Sequence, residues 1–112
     1  MSPIYQFAQG RVSLKITVRY YGFVSSVTKK LSEEIQVKNN TDIKELINIL
    51  TSCYGYKFKE MCFIKPLYSE QFYFNINLNT RDINDVRTYP DGLNTMLSEG
   101  DVVSFGVISG AA

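Results

Sequence analysis

Histidine and tryptophan are absent from this sequence, and only two of its 112 residues are cysteine. Without an imidazole, the chain cannot carry a Ser-His-Asp or Cys-His catalytic site, a histidine metal ligand or a histidine pH switch. An excess of charge of one sign is also missing, because 12 Lys and Arg residues stand against 11 Asp and Glu residues, for a net charge of +1. Non-specific binding to nucleic acid or to an anionic membrane is therefore not indicated.

Long apolar runs and a secretion signal are missing too. No apolar segment approaches the roughly 20 residues that span a bilayer. Residues 1–10 have neither the basic start nor the apolar stretch of a signal peptide. A length of 112 residues fits one domain. We therefore expect a cytoplasmic protein with one domain over residues 1–112, an N-terminal arm at 1–11 and a C-terminal tail at 109–112.

The two cysteines, Cys53 and Cys62, are too few to complete a zinc or iron-sulfur site. We interpret them as two small buried apolar side chains, with a disulfide or a redox role as the alternative. Free thiols are typical of a reducing compartment, which agrees with the cytoplasmic expectation.

Strict alternation of apolar and polar residues predicts a first strand over residues 13–21, with one buried face. Residues 22–29 are predicted to form a loop. A second strand is predicted over residues 31–38, with Leu31, Ile35 and Val37 on one parity. Glu33 shares that parity, which indicates a bulge or an edge position.

One clear amphipathic helix follows. Thr41 is the predicted N-cap, and Asp42 suits the positive end of the helix dipole. The apolar positions follow the i, i+3, i+4, i+7 rule and are Ile43, Leu46, Ile47 and Leu50. Gly55 is the predicted end of the helix.

The second half of the chain is less regular. Residues 57–63 form either a short helix or an irregular segment, and residues 72–79 alternate as a strand. A short return strand is predicted to begin at Ile83, and a last strand covers residues 102–108. In that last strand, Val103, Phe105 and Val107 are the predicted core-facing set.

This order of elements predicts an α+β fold of the β-grasp, ubiquitin-like type, in which a mixed sheet of four to five strands cradles one main helix. A ferredoxin-like fold is the main alternative. It would need a second amphipathic helix, for which residues 56–71 are a poor candidate because Pro66 lies among them.

Four motifs in this order resemble one known family. Residues 18–23 (VRYYGF) resemble its first strand and following loop, and residues 41–47 (TDIKELI) its helix start. Residues 78–83 (LNTRDI) are similar to its Val-Asn-Gly-Arg-x-Ile hairpin, and residues 97–103 (LSEGDVV) to its Leu-x-x-Gly-Asp-x-Val entry to the last strand. The chain thus resembles the MoaD/ThiS-like sulfur carriers, which include the small subunit of molybdopterin synthase, over residues 13–112.

The resemblance implies a carrier for molybdenum cofactor biosynthesis rather than an enzyme in its own right. An adenylating enzyme would use ATP to activate the C-terminal carboxylate, which becomes a thiocarboxylate and delivers sulfur to the large subunit of molybdopterin synthase or to another acceptor. The chain itself would bind no cofactor or metal, and neither nucleic acid nor a membrane would be a partner. The implied carrier tail consists of Ser109, Gly110, Ala111 and Ala112.

That tail departs from the family at its end, where members carry Gly-Gly. Glycine keeps such a tail extended and narrow. A methyl group forced into a channel shaped for glycine costs about 1 to 3 kcal/mol. The alternative hypothesis is therefore a β-grasp interaction module without carrier chemistry.

The open face of the predicted sheet is a candidate partner surface. It is polar with tyrosine as the main aromatic contributor, and an ordinary solvated face is the alternative. The candidate residues are Arg19, Tyr21, Tyr73, Ser104, Gly106 and Ile108. Single-stranded nucleic acid could stack on these tyrosines, but the near-neutral charge disfavours it.

Overall fold

A computed structural model describes residues 13–64 and 73–107 of the chain. Seven strands and three α-helices lie in these ranges. The strands are β1 (Ser13–Tyr20), β2 (Ser32–Lys38), β3 (Phe63–Ile64), β4 (Tyr73–Phe74), β5 (Ile76–Leu78), β6 (Arg81–Asp82) and β7 (Val102–Phe105). The helices are α1 (Gly22–Thr28), α2 (Ile43–Tyr54) and α3 (Tyr56–Met61), and a 3-10 turn covers Gly92–Asn94.

Five of the strands form one mixed sheet in the order β2-β1-β7-β5-β6. The two central strands, β1 and β7, are parallel, and the remaining pairs are antiparallel. Strands β3 and β4 form a separate two-stranded sheet. The predicted α+β fold with a mixed sheet and one main helix is confirmed. Four to five strands were expected, and the sheet has five.

The core lies between β1, β7 and the apolar face of α2. On β1, Leu14, Ile16, Val18 and Tyr20 are all at most 4% exposed. On α2, the four residues predicted from the helical spacing are all buried. Both periodicities predict the buried residues correctly, because β1 and α2 each turn one face toward the core.

The edge strand β2 shows why Glu33 has the parity of an apolar residue. The β1–β2 register runs without interruption from Ser13–Lys38 to Arg19–Ser32, so there is no bulge, and β2 lies at the sheet edge. The Glu33 carboxylate accepts hydrogen bonds from the Tyr20 and Tyr54 hydroxyls. The expectation for Leu31 is wrong, because Leu31 precedes the strand and is 77% exposed.

The predicted loop after β1 is instead helix α1. Val24 and Thr28 are buried on one side of it, and Lys29 ends it in the left-handed conformation. The i, i+4 spacing of these two residues gives the segment one inward face, which favours a helical turn over an irregular loop.

The N-cap of α2 is Asp42 and not Thr41. The Asp42 carboxylate accepts a hydrogen bond from the Glu45 N–H at 2.8 Å. Thr41 is buried instead, and its carbonyl accepts a hydrogen bond from the Leu97 N–H. Gly55 ends α2 as predicted, with a φ of 95°.

The strand predicted over residues 72–79 is divided in two. Strand β4 pairs with β3, whereas β5 pairs with β7 and β6. Asn75 lies between them, and Phe72 lies outside the described residues. The return strand is Arg81–Asp82, so Ile83 follows it rather than starting it, and Ile83 is 1% exposed.

The segment after Gly55 forms a short helix, α3, which was one of the two alternatives. Cys62 follows α3 and is buried, as expected, but Cys53 is exposed on α2, so that half of the cysteine prediction is wrong. Neither forms a disulfide. Across residues 13–64 and 73–107, no helix has the length and apolar character needed to cross a membrane.

Candidate functional site

The last described residues of the chain are anchored at one end of the sheet, and we call this place the tail root (Phe105, Gly106 and Val107). The Phe105 carbonyl accepts a hydrogen bond from the Tyr21 N–H at 2.9 Å. The Gly106 N–H donates to the Asn75 carbonyl at 3.0 Å. The chain is therefore fixed between the end of β1 and the β4–β5 junction until one residue past β7.

Gly106 is required at this place by both conformation and space. Its φ is +96°, in the region that L side chains rarely adopt. A Cβ atom there would lie 2.5 Å from the Tyr21 carbonyl oxygen and 3.1 Å from a Val24 methyl group. Glycine thus lets the tail root lie directly against the start of α1.

Val107 does not join the core, although its parity predicts it. Gly106 leaves the extended conformation, so the alternation of β7 ends at Phe105. Val107 is partly exposed and lines a groove of about 240 Å³ together with Tyr73, Asn77 and Asp82. Val107 therefore lies on the β4–β5–β6 side of the sheet end.

Exposed apolar side chains surround the tail root, and we call them the apolar rim (Tyr21, Phe23, Ile64 and Tyr73). Their exposed fractions are 41%, 82%, 43% and 41%. Three of them, with Met61, line a second cavity of about 360 Å³ beside Gly106. Such a cluster of exposed apolar groups is typical of a surface that a partner covers.

Asn75 links the two cavities. It lines both of them, and its backbone carries the hydrogen bond to Gly106. Its Oδ1 atom is buried and has no hydrogen-bond partner within the described part of the chain. A buried acceptor without a donor is costly, so a donor from a docked group would stabilise this place.

The predicted partner residues fall into two groups. Arg19 and Ser104 are neighbours across the parallel β1–β7 pair, on the open face of the sheet. Tyr21 and Tyr73 lie around the tail root instead, and Gly106 is part of it. Ile108 and the tail residues 109–112 lie outside the described residues. The role of all these residues stays a prediction.

Sequence reasoning missed two contributors to this site, Phe23 and Ile64, whereas Asn75 was expected on the open face of the sheet. Phe23 was placed in a loop, although its position between Gly22 and Val24 on an amphipathic turn was a usable signal. Ile64 had no such signal, because it meets Tyr73 only through the pairing of β3 with β4.

The strongest electrostatic cluster of the described chain surrounds Glu33 and supports the end of β1. Lys30 forms an ion pair with Glu33 at 2.9 Å. Burial opposes ionisation of Glu33, but hydrogen bonds from Tyr20, Tyr54 and Lys30 hold its pKa below the usual value. Burial and the Glu33 carboxylate raise the pKa of the Tyr20 hydroxyl. We interpret the cluster as structural, because it lies at the sheet edge and its polar groups already bind one another.

In the described ranges, no three His, Cys, Asp or Glu side chains are grouped as metal ligands would be. The residues near the tail root offer backbone hydrogen bonds, apolar contacts and space. This arrangement can hold a chain segment and receive a protein partner.

Comparison with solved structures places the fold among ubiquitin-like proteins. The Haloferax volcanii HVO 2177 protein is similar with a TM-score of 0.66 and 19% identity, over 98% of this chain and 99% of that one. The Pyrococcus furiosus protein assigned as subunit 1 of a molybdopterin converting factor has a TM-score of 0.61 and 26% identity, over 81% and 93%. The small archaeal modifier protein 1 of Methanosarcina acetivorans has a TM-score of 0.59 and 19% identity, over 88% and 98%.

Sequence comparison by itself finds nothing: no protein-family model matches the chain, and no curated protein matches it significantly. The structural neighbours nevertheless confirm the resemblance drawn from the four motifs and the β-grasp fold.

Proposed function

We propose that this β-grasp protein is a small carrier whose C-terminal carboxyl group is handed to other proteins for activation and sulfur transfer. The observation that carries the proposal is the tail root: β7 passes into Gly106 at the end of the sheet, inside the apolar rim. Structural likeness to a molybdopterin converting factor subunit and to a small modifier supports the same role.

The chemistry divides between this chain and its partners. One oxygen of the terminal carboxylate bonds to the α-phosphorus of ATP on an activating enzyme, and pyrophosphate leaves. A sulfide donor then displaces AMP and leaves a thiocarboxylate. This chain supplies the carboxylate, the anchored tail root and the apolar rim on which the enzyme docks. Sulfur delivery for molybdenum cofactor synthesis, to the large subunit of molybdopterin synthase, is the specific form of the proposal.

The residues at the end of the tail determine what shape of channel the activating enzyme must have. Ala111 and Ala112 stand where the resembled family has Gly-Gly. At about 1 to 3 kcal/mol for each methyl group, a glycine-shaped channel would be engaged tens to thousands of times less well. The proposal therefore requires an activating enzyme whose channel accepts alanine.

Intact-mass measurement tests the proposal directly. The 112-residue chain is co-expressed with its activating enzyme and a sulfur source. We expect a species heavier by one oxygen-to-sulfur exchange at the C-terminus. A chain extended by one aspartate is the control that should gain nothing. Confirmed pairing with the enzyme and no mass change in the unmodified chain would refute the carrier role.

Two variants test the docking surface in the same assay. Phe23→Ser removes the most exposed side chain of the apolar rim and should lower the yield of thiocarboxylate. Val86→Ser is the matched control, since Val86 is 73% exposed and lines neither tail-root cavity. Equal yields from the two variants would contradict a docking role for the rim.

A non-covalent interaction module is the second candidate function, and the Ala-Ala ending favours it. The apolar rim would then bind a partner without any reaction at the tail. Deleting Ala111 and Ala112 should leave partner binding intact in that case. A strong loss of binding on the deletion argues for the carrier.

A further inference from the structure

The β3–β4 hairpin has a second face, turned away from the apolar rim. Ile64 and Tyr73 form one cross-strand pair and belong to the apolar rim. Phe63 and Phe74 form the next pair. Because successive pairs of a hairpin point to opposite sides, the two phenylalanines lie on the far side from the rim, where α3 packs.

Of the residues that the structure describes, four line an open groove of about 570 Å³ on this far side, and we call it the aromatic groove. They are Tyr56, Glu60, Phe63 and Phe74. The two phenylalanine rings are 5.5 Å apart between centroids, at an interplanar angle of 68°. Tyr56 and Glu60 are one helical turn apart on α3, so their side chains share one face of that helix.

Glu60 gives the aromatic groove its chemical character. Its carboxylate forms no ion pair with any residue of the described chain. Lys57 and Lys59 lie on the same helix but do not line the groove. An apolar occupant would remove water from this carboxylate without replacing its hydrogen bonds, which is unfavourable. An anion would be repelled by both the carboxylate and the ring faces.

A cation with an apolar stem satisfies every lining group at once. Aromatic faces attract cations through their quadrupole. The carboxylate pairs with the charge, and the phenylalanine pair packs against the stem. Tyr56 is 68% exposed, so this side of the groove can be reached by a partner's side chain. We propose that the aromatic groove, between α3 and the β3–β4 hairpin, binds an arginine side chain presented by a partner protein.

Arginine is preferred over lysine because of the geometry of its head group. The planar guanidinium stacks on an aromatic ring and at the same time offers two parallel N–H groups to a carboxylate. A lysine ammonium is a compact, strongly hydrated charge that does neither as well. The inference does not depend on the carrier proposal, since Tyr56, Glu60 and Phe63 line neither cavity beside the tail root and Phe74 alone is shared with one of them.

Titration of the full 112-residue chain, labelled with ¹⁵N, tests the inference. The probe is N-acetyl-arginine amide, and N-acetyl-citrulline amide is its neutral match in shape. We expect saturable shifts of the amides of α3, β3 and β4 with arginine, and about fivefold or greater weakening with citrulline. Equal binding of the two probes, or shifts centred elsewhere, would overturn the cation assignment.

Variants localise the effect. Glu60→Gln should weaken arginine binding about fivefold to the level of citrulline, and Tyr56→Ala should weaken it as well. Both residues are exposed, so the fold should survive, and the amide spectrum checks this. Glu45→Gln is the matched control, an exposed helix carboxylate outside the groove. If Glu60→Gln and Glu45→Gln bind arginine alike, the assignment is wrong; if N-acetyl-lysine amide binds as tightly as arginine, the guanidinium preference is wrong.

Discussion

Replacing Gly106 with alanine should destabilise this protein far more than the same change at a glycine whose added Cβ atom would meet no neighbouring atom. Two separate costs add at this position. A left-handed backbone costs an alanine about 1 to 2 kcal/mol. The new Cβ atom would also lie 2.5 Å from the Tyr21 carbonyl oxygen, which must shift, and forcing extra volume into a packed place costs about 1 to 3 kcal/mol. We therefore expect a loss of about 2 to 5 kcal/mol.

Gly100→Ala separates the two costs. Gly100 has a φ of +83°, but an added Cβ atom meets nothing within 4 Å. It should therefore show only the conformational cost, about 1 to 2 kcal/mol. Urea unfolding followed by circular dichroism gives both free energies, with equal slopes showing that the unfolded states are comparable. If the two variants differ by less than about 0.5 kcal/mol, Gly106 is not held against Tyr21 and the proposed tail root is wrong.

The Gly106→Ala change should also affect thiocarboxylate formation. The steric conflict of Gly106→Ala lies at the point where the tail leaves the sheet, so the tail root must move when the protein remains folded. At a temperature where both variants are folded, Gly106→Ala should give less thiocarboxylate than Gly100→Ala. Equal yields would show that the position of the tail root does not govern delivery.

Three further predictions follow from particular contacts. Glu33→Gln should cost about 1 to 3 kcal/mol at pH 7, since two tyrosine hydroxyls lose a charged acceptor. Because the folded-state pKa of Glu33 is lowered, its carboxylate stabilises the protein above its unfolded pKa of about 4.3 and ceases to do so as the pH falls through the folded value. The free energy of unfolding, measured with urea across acid pH, should therefore depend less on pH in the variant. The same dependence on pH in both proteins would contradict this. Cys53 should react quickly with a thiol reagent, whereas Cys62 should react only on unfolding, since burial raises its pKa to about 12; two fast thiols by absorbance would be inconsistent with the buried site, and Cys53→Ser serves as the control. Asp42→Ala should cost about 1 kcal/mol through loss of the helix cap, measured by thermal unfolding, and no change would mean that Thr41 caps the helix after all.

The parts of the fold that depend on local periodicity were predictable. The alternation in β1 and the helical spacing in α2 each place one apolar face, and both faces are buried. Glu33 was interpreted as the mark of a bulge or an edge position, and the edge position is the one observed, because a charged group on a core parity needs access to water or to partners. Gly55 ended the helix as expected, since its φ of 95° suits only glycine.

Two errors of prediction share one cause, which is that tertiary packing decides between residues that look equivalent in the sequence. Thr41 and Asp42 are both good caps by type, and only the tertiary structure, which buries Thr41 and lets its carbonyl accept a hydrogen bond from the Leu97 N–H, decides between them. Cys53 and Cys62 are the same residue type, and only the position of each helix decides which is buried. Helix α1 was missed for another reason: its i, i+4 pair, Val24 and Thr28, was a usable signal, but seven residues make a short pattern and it was interpreted as a loop.

The sequence by itself determined the β-grasp fold class, the apolar face of each long element and the four motifs that resemble the sulfur carriers. It did so because hydrophobic period and turn chemistry are local properties of the chain. Only the tertiary structure decided that Gly106 is pressed against Tyr21, that an apolar rim surrounds the tail root, and that Glu60 faces a pair of phenylalanines. Each of these contacts joins residues distant in sequence through strand pairing and helix packing, and no local pattern records which distant residues will meet.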